Sequence, residues 1–267
     1  MVASYSQRRV FTGTSGYSFA DWVGAFYPPG TQSREMFGYY AQHFPAVELN
    51  FTYYRIPNAA TLQRMAQASP EGFQFWVKAN QETTHKHNRK IAGEFIENLQ
   101  PLADRGKLAG VLLQFPQSFH RVASNRVYLA QAVEDLGNAP WGRCPLAVEF
   151  RHRSWEDPAT LNGLREREVT LVVPDVPDIR DLFHCPPTAT TPTGYLRLHS
   201  RNAGNWYAGE AQRYDYSYSE DQLRHIVQEW SAPDLQISRL FTFFNNCHGG
   251  QAARNAEAFQ AIVNQIA

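Results

Sequence analysis

The chain has 267 residues, enough for one α/β barrel with a sizeable core. Its 25 Lys and Arg residues balance 25 Asp and Glu residues, so bulk charge argues against a protein that coats nucleic acid or an anionic membrane. The three cysteines show no CxxC spacing, which argues against a disulfide framework and favours a reducing, cytoplasmic location. The first residues lack an apolar leader pattern, and no apolar run approaches the roughly 20 residues that span a bilayer.

Eight short apolar runs follow one another along the chain, mostly separated by helical patterns. Several of them, such as "GVLLQF" and "TLVV", are apolar nearly throughout, which is typical of parallel strands covered on both faces. The predicted strands are residues 10–14, 47–51, 73–78, 110–115, 146–150, 169–173, 195–199 and 240–244.

Amphipathic segments lie between these strands. Residues 34–44 place Met36, Tyr40 and Phe44 on one helical face, and residues 252–266 repeat apolar side chains at helical spacing. Ser219 and Gln222 stand at capping-box spacing, which indicates a helix start. Eight strand–helix units in a chain of this length predict a TIM barrel formed by a single domain, residues 1–267. An open, doubly wound α/β sheet is the alternative.

Polar side chains collect at the C-terminal ends of the predicted strands. The last strand reads "LFTFF" and continues as "NNCHGG", and the fifth ends in "VEFR". In α/β barrels these strand ends converge on one mouth, where the active site lies. Because residues two apart on a strand point the same way, pairs such as Glu149 with Arg151 and Arg197 with His199 share a direction.

We therefore predict a candidate site at this mouth, with two groups of residues. The candidate catalytic residues, acting as general acids and bases, are Glu48, Glu149, Asp175 and His199. The candidate substrate-binding residues are Asn50, Tyr53, Lys78, Asn80, Gln114, Arg151, Arg197, Arg201, Asn245, Asn246, His248, Gly249 and Gly250. No cofactor is identified. Glu48, Glu149, Asp175 and His199 are also candidate ligands of a divalent metal, since carboxylates and imidazole suit Mg, Mn or Zn. No HxH or HExxH spacing supports this alternative.

The same residues also fit a purely structural interpretation. Barrel cores contain polar groups that pair internally, so Glu48, Lys78, Glu149 and Arg197 would then form a buried salt-bridge layer without chemistry. His85, in "ETTHKHNRK", is interpreted as a solvated loop histidine.

Several stretches together resemble the YecE-like family, known mainly as a domain of unknown function. The match is carried by "GTSGYSFADWVGAFYP" (13–28), "YYAQHFPAVELNFTYYRIP" (39–57), "FQFWVKANQETTH" (73–85), "LLQFPQSF" (112–119), "AVEFRHRSW" (147–155), "RLHSRNAGNWY" (197–207), "RYDYSYSEDQL" (213–223) and "FFNNCHGGQAARNA" (243–256). The resemblance runs almost end to end and implies a TIM barrel, but no particular activity. The chain departs from the family pattern at Ser200, where Gly is common and a positive φ would be resisted by Ser, and at Tyr17, where the family has Trp.

Two functions fit this mouth. The first is a hydrolase-like enzyme acting on a small phosphate-bearing, nucleotide-like or sugar-like substrate. TIM barrels often bind phosphate beside the last two strand loops, where Arg201 and the helix-opening Gly249 and Gly250 lie. The second is a binding module without catalysis, for carbohydrate or single-stranded nucleic acid, suggested by the many aromatic residues near the mouth. The zero net charge does not favour nucleic acid as a partner, and no membrane partner is indicated.

Cys247 lies beside the site as a candidate nucleophile or, more commonly for such a residue, a buried inert thiol.

Overall fold

The computed structural model describes residues 8–266, without the side chains of Glu210 and Ala211. Residues 1–7, part of the stretch for which we predict no leader segment, lie outside the described residues. The eight strands of the main sheet are β1 (Arg9–Thr14), β2 (Ala46–Leu49), β3 (Gln74–Lys78), β4 (Leu108–Gln114), β5 (Leu146–Glu149), β6 (Val169–Asp175), β7 (Thr193–Leu198) and β8 (Arg239–Phe244).

All eight strands are parallel and neighbour one another in the order β1-β8-β7-β6-β5-β4-β3-β2. The two edge strands meet at an isolated bridge between Ser15 and Glu48, where the N–H of Gly16 donates to the carbonyl of Glu48 (2.8 Å). The sheet is therefore a nearly closed barrel, and the predicted TIM-barrel architecture is confirmed. The predicted second strand was two residues too long, because Phe51–Tyr53 forms a 3₁₀ turn directly after Leu49 and Asn50.

Helices connect the strands around the barrel. The α-helices are α1 (Ser33–His43), α2 (Ala59–Ala68), α3 (Gln81–Thr84), α4 (Ala92–Glu97), α5 (Gln100–Ala103), α6 (Ala123–Gly137), α7 (Pro158–Glu166), α8 (Glu210–Arg213), α9 (Glu220–Trp230) and α10 (Gln251–Ile266). Short 3₁₀ turns lie at Ala20–Trp22, Phe51–Tyr53, Arg89–Ile91, Arg153–Trp155 and His248–Gly250. No helix among residues 8–266 is both long and apolar enough to cross a membrane.

Local signals explain where these helices begin. The predicted capping box at Ser219 is present: its side chain accepts the N–H of Gln222, whose own side chain accepts the N–H of Ser219. The side chain of Asn80 accepts the N–H of Glu82 and so starts α3 directly after β3. On α1 the buried residues Met36 and Tyr40 lie one turn apart, as the sequence pattern predicts.

The barrel interior is filled from below by bulky apolar side chains. Phe11, Trp76, Tyr195, Phe241 and Phe243 are buried together in one interior cluster, separate from the larger layer between strands and helices. A Cβ at Gly110 would lie 2.5 Å from the ring of Trp76, so this strand position accommodates the indole only because it has no side chain. The apolar floor leaves the C-terminal half of the interior to the polar residues that follow on the same strands.

Candidate functional site

The strand alternation brings charged side chains into the interior above this apolar floor. On β7, Tyr195 and Arg197 are two residues apart, and on β5 Glu149 follows Ala147, which belongs to the apolar cluster. The side chains of Glu48 and Glu149 are fully buried, and that of Arg197 is 1% exposed. A buried charge is costly unless it is paired, so the partners of these three groups decide what they do.

Arg197 joins the two buried carboxylates across the barrel. Its Nη2 donates to Oε1 of Glu48 (2.8 Å) and its Nη1 donates to Oε2 of Glu149. The hydroxyl of Tyr195 donates to the second oxygen of Glu48 (2.6 Å). We call Glu48, Glu149, Arg197 and His199 the ionic cluster. Its members come from β2, β5 and the C-terminal end of β7, so it ties three walls of the barrel together.

The second oxygen of Glu149 is also occupied. Nε of Arg151 lies 2.6 Å from it, and Nε2 of His199 lies 3.1 Å from it. Burial alone would raise the pKa of Glu149, but Arg151 and Arg197 outweigh it and hold that pKa well below its ordinary value. Burial, followed by Arg151, lowers the pKa of His199 to about 3, so its imidazole is neutral. The amide of Asn245 donates to Nδ1 of His199 (2.9 Å), which leaves Nε2 to donate to Glu149.

A cavity of about 860 Å³ opens above the ionic cluster at the C-terminal mouth of the barrel. Five of its lining residues carry cationic side chains, and none of the lining residues whose side chains the structure describes is Asp or Glu. The cations are Arg55, Lys78, Arg151, Arg197 and Arg213. Arg151 and Arg197 are paired with the carboxylates beneath them, whereas Arg55, Lys78 and Arg213 form no salt bridge with a described side chain. These three side chains give the cavity wall a positive charge that attracts anions.

Aromatic rings form much of the remaining wall. They are Tyr17, Phe19, Phe51, Tyr53, Tyr54, Trp206, Tyr207 and Tyr214. Four of them lie beside the cations. The guanidinium carbons of Arg213 and Arg151 are 5.3 Å and 6.0 Å from the ring centre of Trp206, and Nζ of Lys78 is 4.5 Å from that of Tyr53. The guanidinium carbon of Arg55 is 5.5 Å from the ring centre of Phe51, and that of Arg213 is 5.9 Å from that of Tyr214. The cavity therefore offers both charge for an anion and flat apolar faces for a ring.

Lys78 is a cationic lining residue whose ionisation is shifted towards the neutral amine. Burial, followed by the nearby charge of Arg197, lowers its pKa to about 7. Glu48 and Glu149 oppose this shift, but both carboxylates already pair with Arg197. The amine is thus able to lose its proton near neutral pH, unlike an ordinary lysine.

The structure separates the two predicted groups of site residues. Glu48, Glu149, Asp175 and His199, predicted as catalytic, do not line the cavity. Many of the predicted substrate-binding residues do, and these are Asn50, Tyr53, Lys78, Gln114, Arg151, Arg197 and Asn245. The sequence pattern could not distinguish a charge beneath the cavity from a charge in its wall, because both stand at the same strand ends.

Asp175 and Arg201 form a separate pair. Oδ2 of Asp175 accepts from Nη2 of Arg201 (2.6 Å), Nε of Arg201 donates to both carboxylate oxygens (3.0 Å each), and the hydroxyl of Tyr218 donates to Oδ1 (2.7 Å). Tyr218 and Asp175 thus hold Arg201 outside the cavity lining. The backbone of Ser200 has no positive φ, and its hydroxyl accepts the N–H of Asn202 (3.0 Å), so serine fits this loop.

The remaining predicted substrate-binding residues also lie outside the cavity wall. Asn80 caps α3 and donates to the carbonyl of Thr52 (3.0 Å). Asn246 donates to the side chain of Asn255 (2.9 Å), which holds the loop after β8 against α10. His248 is exposed.

The glycine pair before α10 already has an anionic partner. The N–H of Gly249 donates to Oδ2 of Asp21 (2.7 Å), and Arg254 donates to the carbonyl of Gly249 (3.0 Å). Helix N-termini attract negative charge, and here the chain's own carboxylate supplies it where the sequence predicted a bound phosphate at Gly249 and Gly250.

The donor set argues against a metal at the ionic cluster. Among residues 8–266 no group of three or more His, Cys, Asp and Glu side chains is arranged to hold a metal ion. Both oxygens of Glu149 and both of Glu48 already accept hydrogen bonds or charge contacts from the chain. A metal at Glu48, Glu149, Asp175 and His199 therefore does not fit these residues.

Some lining residues were missed or undervalued in the sequence. His85, interpreted as a solvated loop histidine, lines the cavity with its ring 5.1 Å from that of Tyr53, and burial followed by Lys78 lowers its pKa to about 4. Arg55 and Arg213 lie beyond the strand ends, where the strand-end argument does not reach. Cys247 also lines the cavity, but burial raises the pKa of its thiol far above the ordinary value, which disfavours the thiolate.

The chain belongs to the DUF72 family, because the family described as "Protein of unknown function DUF72" matches residues 11–267. UPF0759 protein YunF of Bacillus subtilis is 31% identical over 277 residues, covering 96% of this chain and 95% of YunF. A DUF72 family protein of Thermotoga maritima, of known crystal structure, is 36% identical with a TM-score of 0.87, covering 96% of this chain and 100% of that one. A similar match to UPF0759 protein YecE of Escherichia coli (29% identity, 62% of this chain and 59% of YecE) confirms the resemblance to the YecE-like family.

Proposed function

We propose that the protein is an enzyme that binds a small phosphate-bearing ligand with a sugar or nucleoside ring in the cavity at the barrel mouth. The observation that carries this proposal is the composition of the wall, with five cationic side chains, eight aromatic rings and no Asp or Glu among the described lining side chains. Phosphate oxygens are recognised by guanidinium and ammonium groups, and ring faces pack on aromatic side chains.

The cavity size supports a ligand of this class. Sites for small molecules and cofactors commonly measure about 300–1,000 Å³, and this cavity measures about 860 Å³. Arg151 would bind the anionic group deep in the cavity, because Glu149 holds its side chain from below. Arg197, which is 1% exposed and bound to both carboxylates, would support Arg151 from beneath. Arg55 and Arg213 would reach the anionic group from the loops above.

In this proposal the predicted catalytic residues act indirectly. Glu48, Glu149 and His199 position Arg197 and Arg151 and do not touch the ligand. Lys78 is the group in the wall that is able to accept or donate a proton at neutral pH, because its pKa is lowered to about 7 by burial and by Arg197. Hydrolysis of the bound ligand, with Lys78 as the acid–base group, is the reaction class we propose.

A binding module for carbohydrate, without catalysis, is the second candidate. The observation in its favour is the exposure of two rings at the cavity rim, since 68% of Tyr54 and 60% of Tyr207 is accessible. Exposed aromatic faces suit the apolar faces of sugar rings. This candidate predicts equal binding of phosphorylated and unphosphorylated sugars.

Paired ligands would test the proposal. Thermal shifts would be measured at low salt with sugars and nucleosides, each with and without a phosphate group. We expect only the phosphorylated members to raise the melting temperature, and the shift to fall at high salt. Arg55→Met, in the cavity wall, should reduce the shift in melting temperature. Arg224→Met should leave the shift unchanged, because Arg224 lies on α9 outside the cavity wall and pairs with Glu220. Mass spectrometry of ligands that bind would then detect hydrolysis.

Two outcomes would contradict the proposal. Equal shifts with and without phosphate would support the carbohydrate module instead. If no phosphorylated compound shifts the melting temperature, the cavity does not recognise phosphate.

A further inference from the structure

The amine of Lys78 is unusual among the four lysines of the chain. Lys78 is the last residue of β3, its side chain lines the cavity, and it is partly buried. Among residues 8–266 no carboxylate lies within salt-bridge distance of Nζ and no atom accepts a hydrogen bond from it. Its contact is the ring face of Tyr53, 4.5 Å away.

Lys107, which is buried, shows how the fold satisfies a lysine amine elsewhere. Its Nζ donates to the carbonyl of Ala66 (2.7 Å), the carbonyl of Ser69 (2.7 Å) and the hydroxyl of Ser69 (2.8 Å). All three ammonium hydrogens are therefore used. Lys86 is exposed and pairs with Glu82 (2.6 Å), and Lys90 is exposed.

The surroundings of Lys78 favour its neutral form. The two carboxylates near it are bound by Arg197, and Arg151 adds a further positive charge. Burial and these cations lower the pKa of Lys78 to about 7. An ordinary exposed lysine amine is neutral in only about one molecule in 2,500 at pH 7. A lysine that is desolvated beside other cations is a nucleophile, as in enzymes that form Schiff bases.

We propose that Nζ of Lys78 attacks an aldehyde or ketone group of the ligand and forms a Schiff base with it. The lone pair of the amine forms the new C–N bond to the carbonyl carbon. The C–O bond breaks, and the oxygen leaves as water with the two amine hydrogens, so no oxidant or reductant is consumed. The inference rests on the phosphate recognition of the proposed function, but Lys78 acts here as the nucleophile and not as the acid–base group of a hydrolysis. It narrows the ligand to a phosphate-bearing carbonyl compound, such as the open-chain form of a sugar phosphate.

The neighbouring residues suit this step. The phosphate would be bound by Arg151 and Arg213, which both lie beside the ring of Trp206. His85 packs against the same tyrosine ring as Lys78, and its neutral imidazole adds no charge that would compete for the anion. The carbonyl group would then lie between the anion-binding arginines and the amine.

Reductive trapping tests the proposal directly. The protein would be treated with sodium cyanoborohydride near pH 7 and either glyceraldehyde 3-phosphate or glyceraldehyde, and the modified lysine identified by peptide mass spectrometry. Trapping adds the mass of the aldehyde less one oxygen. We expect Lys78 to be labelled at least about tenfold faster than Lys86 or Lys90, because far more of its amine is neutral. Lys78→Arg should remove this label, and Lys107→Arg should retain it.

The outcomes separate this inference from the proposed function. Faster labelling of Lys78 by the phosphorylated aldehyde than by glyceraldehyde supports both. Equal labelling by the two aldehydes supports the Schiff base but counts against phosphate recognition. If phosphorylated ligands stabilise the folded protein and Lys78 reacts no faster than the exposed lysines with either aldehyde, the Schiff base is overturned while phosphate recognition stands.

Discussion

Lys107 and Lys78 lie at opposite ends of the barrel, and the fold treats their charges differently. Lys107 precedes β4, at the N-terminal end, where carbonyls at the C-terminal end of α2 and the hydroxyl of Ser69 accept all of its hydrogens. Lys78 ends β3, at the C-terminal end, where it faces the cavity and a tyrosine ring. Burial lowers the pKa of both amines, but only one of them is compensated by hydrogen bonds.

This difference indicates where the fold gives up stability. A desolvated charge without a hydrogen-bond partner destabilises the folded state, and such features concentrate at functional sites. Arg197 contributes to the difference, because it binds both carboxylates whose charges favour the ammonium form of Lys78. The predictions below remove one part of this arrangement at a time.

Arg197→Met should have the largest effect. It leaves Glu48 and Glu149 buried without their shared partner, and breaking a buried ion pair costs about 3–5 kcal/mol. Urea unfolding would measure the loss. In folded variant protein the freed carboxylates should also pair with Lys78 and raise its pKa, so that trapping by glyceraldehyde becomes slower.

Arg224→Met on α9 provides the control, because its side chain is 41% exposed and surface pairs contribute little to stability. A loss below about 1 kcal/mol for Arg197→Met would show that the ionic cluster is not a supporting element of the cavity floor.

The effects of Lys107→Met and Lys78→Met on the free energy of unfolding should differ in sign or size. Lys107→Met leaves three buried acceptors unsatisfied, which should cost about 1–3 kcal/mol. Lys78→Met removes an uncompensated charge and should be neutral or stabilising near pH 6.5. The free energy of unfolding of both variants checks this comparison, which fails if Lys78→Met is the more destabilising of the two.

The difference in the free energy of unfolding between wild type and Lys78→Met should depend on pH. In the unfolded chain Lys78 keeps its proton up to its ordinary pKa of 10.5, whereas in the folded chain it loses it near about 7. Between these values the unfolded chain binds more protons, so the stability of wild type rises with pH relative to the variant. Below pH 7 Lys78 is charged in both the folded and the unfolded chain, so its charge destabilises the folded wild type to the full extent.

Urea unfolding at about pH 6.5 and about pH 9 would measure this change. We expect the free energy of unfolding of wild type to rise relative to that of Lys78→Met at the higher pH. Lys90→Met, which replaces an exposed lysine, should show no such change relative to wild type. A difference that stays constant over this range would mean that the amine of Lys78 has an ordinary pKa in the folded protein.

Asp21→Asn should have the smallest effect. The substitution keeps an oxygen that accepts the N–H of Gly249 but removes the negative charge before α10, which should cost below about 1 kcal/mol. The loss should shrink at high salt, because the site is exposed. Urea unfolding at two salt concentrations checks it, and a loss independent of salt would point to the hydrogen bond rather than the charge.

The sequence pattern predicted the barrel and its polar mouth well, because both follow from short-range rules. Apolar runs of strand length identify β4 and β8, and the change to polar residues identifies their C-terminal ends. Pairing across the barrel is a different matter. Arg197 reaches Glu48 from 149 residues further along the chain, and no local pattern encodes that contact.

The same limitation explains the roles that the sequence assigned. Glu149 and Arg151 are two residues apart and looked equivalent, but the carboxylate is fully buried while the guanidinium lines the cavity. His85 was not predicted as a site residue because it lies outside a strand. It follows α3, the short helix that Asn80 caps, and this helix places it in the cavity wall. The depth of a side chain below a surface depends on the whole fold.

Trp206 gives the cavity an optical property. Its indole lies beside the guanidinium groups of Arg213 and Arg151 and forms part of the wall. An anion that draws these groups towards itself changes the electric field at the ring. If the cavity binds such an anion, the emission of this tryptophan, one of six in the chain, would report its occupancy, and titrations of the unlabelled protein would need no added dye.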